Sequence, residues 1–296
     1  MKGRGILTVL VVLLFLGAGI GLSRLGSLQG GFTAPPGAAQ PKTPPPAKTT
    51  TITSAARCRA AAGDVEPIVV REQPSPKSVV IARVGAADQA LTRLNARAVK
   101  GGDWIQVRLG ERTGWADGAE VICRLAPDEA QQVIAPVASQ VLSALGTRNM
   151  RELATHVHPV KGLRFSPTVD VDPKRSIVFT ASELAKGLDD PRHRRWGSSD
   201  GSGEPISLSF ADYYGRFVWD RDYARAAEKR YNEFGAKSTT RPNLWEVYPN
   251  AVVVESHVPG SKPESEGMDW KSLLLVFEQH DSTWYLSAIV HDQWSV

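Results

Sequence analysis

The pattern of hydrophobic and polar positions changes character several times along this chain of 296 residues. It begins with an uncharged apolar run, Ile6 to Leu22, preceded by Lys2 and Arg4 and closed by Arg24. A basic flank followed by such a run is the pattern of an export signal. The run sits at the lower edge of the roughly 17–25 residues that span a bilayer. Residues 1–26 are therefore expected to be a signal peptide or an uncleaved membrane anchor. No A-x-A-like site and no lipid-bearing cysteine follows, which favours the anchor. Lys2 and Arg4 would then face the cytoplasm, with the rest of the chain outside.

Residues 27–56, which include GGFTAPPGAAQPKTPPPAKTTTITSAA, offer almost nothing to bury. Such Pro- and Thr-rich text predicts an extended, semi-rigid linker. From 57 to 124 the period becomes two. PIVVRE, VVIARV, QALTRLNARAV, DWIQVRLG, TGWADG and EVIC are short β-rich runs separated by turn residues, an all-β pattern. On the run Asp103–Leu109, alternation places Ile105, Val107 and Leu109 on one face and Trp104, Gln106 and Arg108 on the other.

Residues 125–296 open with helical spacing at Val133, Ile134, Val137, Val141 and Leu145, with Pro136 marking a kink or a first turn. Asn149 with Glu152 and Thr180 with Glu183 are capping patterns, and Gly187 is expected to close the second of these helices. Ser209 is placed to cap a helix carrying Phe210, Tyr213, Tyr214 and Phe217. The period then returns to two in AVVVESHV, SLLLVFEQ and WYLSAIVHDQW, with HDST as a hairpin turn. Helices followed by long strands predict an α+β domain, its helices packed on one face of a curved antiparallel sheet. The fold class is thus α+β overall.

Charge sharpens this division. The formal net charge is +4, yet residues 1–57 hold six basic residues and no acid, leaving 29 basic against 31 acidic residues from Cys58 onward. The folded part lacks the basic footprint of a nucleic-acid binder. The two cysteines, Cys58 and Cys123, bracket the all-β segment, and in an exported chain they are expected to pair.

The text VVREQPSPKSVVIARV followed by GGDWIQVRLGERTGWADGAEV resembles the bacterial SH3-like domain. Val70, Arg71, Pro74, Ser75, Trp104, Val107, Thr113, Gly114 and Trp115 carry that resemblance over about residues 66–122. The sequence departs from the family with Val69 before the Val-Arg pair and with Ala87-Asp88 at a turn. The resemblance implies a small β-barrel that binds cell-wall peptides or other extracytoplasmic partners. Trp104, Arg108 and Trp115 are its candidate ligand-binding residues, although either tryptophan could instead be structural. The C-terminal element order resembles the nuclear-transport-factor-like (cystatin-like) cone. HPVKGLRFSP, WGSSDGSGEPISLSFADYYGRFVWDRDY and GMDWKSLLLVFEQHDSTWYLSAIVHDQW resemble a domain of uncharacterised exported bacterial proteins, which imports no activity.

Catalytic patterns fail on their own spacing. Around Ser202 the text is Asp200-Gly201-Ser202-Gly203-Glu204, so both outer glycines of G-x-S-x-G are missing. An EF-hand loop starting at Asp200 needs Gly and Glu where Pro205 and Ala211 stand. A positive-φ turn leading into a strand at Pro205 fits better. The remaining pocket candidates are His158, Asp200, Glu204, Glu255, His257 and Asp292. Alternation puts Glu255 with His257, and Asp292 with Trp284, Leu286, Ala288, Val290 and Trp294; His291 falls opposite, with Tyr285 and Ile289. No metal-ligand spacing occurs and no cofactor is called for. The expected role is non-catalytic recognition or scaffolding at the cell envelope, with peptidoglycan or an envelope protein as partner and the membrane held through the N-terminus. The alternatives are an envelope hydrolase using Asp292 with His257 or His158, and a small-ligand carrier.

Overall fold

A computed structural model describes residue 56 and residues 58–61, 67–85, 91–100, 102–199, 202–235 and 240–295. The expected anchor, nearly all of the linker, the Ala87-Asp88 turn and Asp200 lie outside these. Among the described residues no helix is long and apolar enough to cross a membrane.

The β-rich runs form strands where alternation places them. These are β1 (Arg59–Ala60), β2 (Ile68–Arg71), β3 (Val80–Val84), β4 (Thr92–Val99), β5 (Gly102–Leu109), β6 (Arg112–Asp117) and β7 (Val121–Ile122). An antiparallel five-stranded sheet runs β3-β2-β6-β5-β4, and β1 pairs with β7. Cys58 and Cys123 are joined by a disulfide next to that short ribbon and share a core with Ile68, Val70, Ile105, Val107 and Ala116. Gly114 is required where β2 meets β6, because a Cβ there would lie 2.6 Å from the side chains of Val70 and Ile81.

The second region starts with α1 (Pro127–Gly146), whose Pro136 lies inside the helix, and α2 (Met150–Thr155), capped by Asn149. Thr180 and Glu183 form the expected reciprocal cap on α3 (Ala181–Leu184); Gly187 begins a separate 3-10 turn and does not close that helix. Ser209 Oγ accepts from the Asp212 amide at 3.1 Å and starts α4 (Phe210–Phe217). The sheet contains β8 (Leu163–Ser166), β9 (Val178–Phe179), β12 (Glu228–Tyr231), β13 (Val252–Val258), β14 (Lys271–His280) and β15 (Thr283–Gln293). A separate hairpin is made by β10 (Arg194–Ser198) and β11 (Pro205–Leu208).

The sheet order is β12-β13-β14-β15-β8-β9, and it differs from expectation in three ways. It is mixed rather than antiparallel, because β8 lies parallel to β15. It is also covered on both faces. The α1, α2 and α4 side shares a core with Val252, Val254, Leu273, Leu275, Leu286 and Ile289. Val253, Leu274, Val276, Ala288 and Val290 pack on the opposite side against Val169, Val171 and α5 (Leu244–Val247). Finally, Ser287 is an extra residue in β15, since Leu286 pairs with Phe277 while Ala288 pairs with Val276. Such a bulge reverses alternation beyond it. Trp284 and Leu286 therefore face α1, whereas Ala288, Val290 and Asp292 face the other side.

The β-rich module and the second region share polar contacts, the Arg93 guanidinium among them buried. Arg93 donates to the carbonyls of Cys123 and Asn250 (3.1 and 2.9 Å) and to Gln279 Oε1 (3.1 Å), with Trp284 5.0 Å from its guanidinium. Burial lowers this guanidinium to about 10, against the pull of Glu278, so it stays charged at neutral pH. The Asn250 side chain accepts from the Cys123 amide and donates to the carbonyls of Gly118 and Val121. Lys161 bridges Asp103 and Glu278 at 2.5 and 2.6 Å. The HDST turn has Asp281 and Ser282 at positive φ, and their amides donate to Ala96 O and Asn95 Oδ1.

Candidate functional site

The site is built by α4 and the β10–β11 hairpin at the end of the parallel pair β8 and β15. Trp196 stacks on Tyr213 (ring centroids 3.9 Å), and its indole N–H donates to Leu208 O at 2.9 Å. Phe165, Phe179 and Phe210 complete this aromatic cluster. With the hairpin so fixed, its tip closes as a turn: the Gly203 amide donates to Ser199 O, the Ser199 amide to Glu204 O, and Gly203 has φ +69°. The turn-into-strand reading of DGSGEP holds in the described residues, with β11 starting at Pro205. The same turn also places Ser199 and Ser202 on the wall of a cleft.

That cleft has a volume of about 310 Å³. It is lined by Thr168 and Val169, just beyond β8, by Ser199, Ser202, Ile206 and Thr240, by Arg216 and Phe217 of α4, and by His291 to Gln293 of β15. Hydroxyls, one guanidinium, one carboxylate and one imidazole thus converge beside a single aromatic ring.

His291 is fully buried at this border. Its Nε2 lies 3.3 Å from Asp220 Oδ2, and Phe217 meets the imidazole edge-on at 5.6 Å. Asp220 also accepts from Tyr223 Oη at 2.6 Å and from Lys271 Nζ. Burial alone would raise the Asp220 carboxyl; hydrogen bonds from His291, Lys271 and Tyr223, joined by the His291 charge once acid protonates that ring, outweigh it and hold the group far below the usual carboxylate range. Burial lowers His291 despite Asp220 beside it, so the imidazole is neutral at neutral pH. An ionised carboxylate only accepts, so the ring proton sits on Nε2 and Nδ1 presents a lone pair. Nδ1 is buried with no hydrogen-bond partner.

The other candidates fall elsewhere. Trp104 and Trp115 are 3% and 7% exposed, which leaves no aromatic platform on the β-rich module. Trp104 pairs in register with Arg97, whose guanidinium lies over Trp115 and bonds Asp281 at 2.5 Å. Arg108 alone of the three is exposed. Glu204 is exposed and does not line the cleft.

Glu255 and His257 share a face as alternation predicts, and both are buried. Glu255 accepts from Ser272 Oγ (2.8 Å), Arg230 (3.2 Å) and the Gly235 amide (2.7 Å), while His257 Nδ1 lies 2.9 Å from Ser272 Oγ. Because Ser272 gives its proton to the carboxylate, its oxygen accepts from the imidazole. An activated nucleophile has the opposite order, with the hydroxyl donating to the imidazole.

Asp292 lines the cleft, and Ser272 lies between it and His257 across neighbouring strands. His158 is excluded from any such pairing. It bonds back to the amides of Val160 and Lys161 beside Leu286, about 20 Å of strand away from Asp292. Burial, then the charges of Lys161 and His280, lower His158 to about 4.

Among the described residues no group of three or more His, Cys, Asp or Glu side chains is placed to hold a metal ion. Sequence reading missed Asp220, Lys271 and Tyr223, and it noted His291 only as the opposite face of a strand. No family model, curated protein or solved structure matches the chain.

Proposed function

We propose that this is an extracytoplasmic, non-catalytic recognition protein whose ligand site is the C-terminal cleft, and that its ligand is a small hydroxylated molecule, a saccharide unit of envelope glycan. The observation that carries this is the cleft wall: Thr168, Ser199 and Ser202 supply hydroxyls, Asp292 and Arg216 supply charge, and Phe217 supplies a ring face. A few convergent polar groups around one aromatic surface suit a ligand that is polar at its edges and apolar on a face. The buried tryptophans shift the site away from the SH3-like module, which acts as a buttress. The reversed proton order at Ser272 takes away a serine nucleophile next to Asp292 and His257. Export and envelope location rest on the apolar N-terminal run and the Pro-rich linker.

The test is retention of the detergent-solubilised full chain on purified peptidoglycan. Wild type and Arg108→Ala should be retained, and Ser202→Trp, which fills the cleft, should not. Loss with Arg108→Ala but not with Ser202→Trp would return the site to the β-rich module. No retention at all would sink the glycan reading.

A further inference from the structure

We propose that His291 Nδ1 is the acceptor that reads a ligand hydroxyl, so that a free O–H group at the cleft floor is a condition of binding. This rests on the reading of the cleft as a saccharide site. Three observations carry it. The ring is locked: Nε2 is committed to Asp220, which is itself held by Lys271 and Tyr223 from two other elements. Neither rotation nor the other tautomer is available without leaving that carboxylate short of a donor. Next, Nδ1 is buried and has no partner, whereas buried polar groups in native proteins nearly always have one. Lastly, His291 borders the cleft next to Phe217, whose ring covers the imidazole edge-on and offers no donor.

A water can fill the place in the free protein, and a ligand that displaces it must bring a donor of its own. A neutral imidazole nitrogen accepts from a hydroxyl. A ligand carrying a methyl ether at the same position would strand the lone pair in a buried site, which is how a site built for a hydroxyl rejects its analogue.

The probe is N-acetylglucosamine disaccharide, titrated into the full chain with ¹⁵N-labelled histidine. Histidine side-chain NMR and calorimetry are read together, with His291→Gln as the variant. The disaccharide should bind, the unprotonated Nδ1 resonance of His291 should move, and the variant should bind roughly tenfold more weakly or worse. The NMR readout in wild type does not depend on whether the variant folds. Binding with an unmoved Nδ1 resonance overturns the role of His291 and leaves the cleft reading intact. Absence of binding by wild type overturns both.

Discussion

Two carboxylate–histidine groups lie on opposite faces of one sheet, and they are built differently. On the α5 side, Glu255 is satisfied by three donors, and Ser272 links it to His257. On the helix side, Asp220 is equally well supplied; in both groups the second ring nitrogen makes no hydrogen bond, but only that of His291 belongs to a residue that lines a cleft. The first group spends its polarity on holding β12, β13 and β14 together. The second holds a buried imidazole in one orientation at the border of a cleft. Residue types alone do not separate the two, and in both the protons run from imidazole towards carboxylate; what differs is that only His291 lines the cleft.

The largest perturbation serves as a control on that comparison. Replacing Cys58 and Cys123 by serine should cost about 4 kcal/mol on the loop-entropy model. It should leave the ring resonances of His257 and His291 in place, as read by urea unfolding followed by NMR. Glu255→Ala should cost about 3 kcal/mol in the same unfolding assay, because Arg230, Ser272 and the Gly235 amide lose their acceptor. Unchanged saccharide affinity in that variant would mark the Glu255 group as structural.

Acid asks whether the neutral histidines follow from burial. His158 is lowered to about 4 and His291 is lowered too, whereas the unfolded chain protonates near 6.5. Each folded value is depressed, so their stability contribution is present above pH 6.5 and is lost as pH falls towards 4. His158 should account for about 2–3 kcal/mol of that loss. Urea midpoints that stay flat between pH 6.5 and 4 would refute it. The smallest effect should belong to His291→Gln. Gln can still donate to Asp220, and the lost Nδ1 has no internal partner, so the change should lie within about 1 kcal/mol. A much larger loss in thermal melts would place His291 with the structural Glu255 group.

Local signals were legible where the physics is local. Asn149, Thr180 and Ser209 cap helices as their side chains demand, and HDST turns where Asp281 and Ser282 tolerate positive φ. The alternation that paired Glu255 with His257 also holds, because β13 is regular. It fails in β15, where the extra Ser287 moves Leu286 to the face opposite Ala288, and nothing in WYLSAIVHDQW marks the bulge. Alternation placed Trp104 on the polar face of β5, yet it is buried, because the pattern knows only the strand's own two faces and not what packs on them from elsewhere. Asp220 was illegible for a related reason. It lies in an irregular segment after α4, far in sequence from His291, and only the packing of α4 against β15 brings them together.

The contact of the HDST turn and Asn250 with the β-rich module has a consequence for the order in which the protein is made. A ribosome completes the module long before it reaches Asn250, Gln279 or Asp281. Until those residues emerge, Arg93 has only part of its final set of acceptors, and the amide of Cys123 lacks its acceptor. The nascent module must therefore wait with an unfinished edge, and its Cys58–Cys123 staple is the one covalent link that can keep that edge in shape until the last strand arrives.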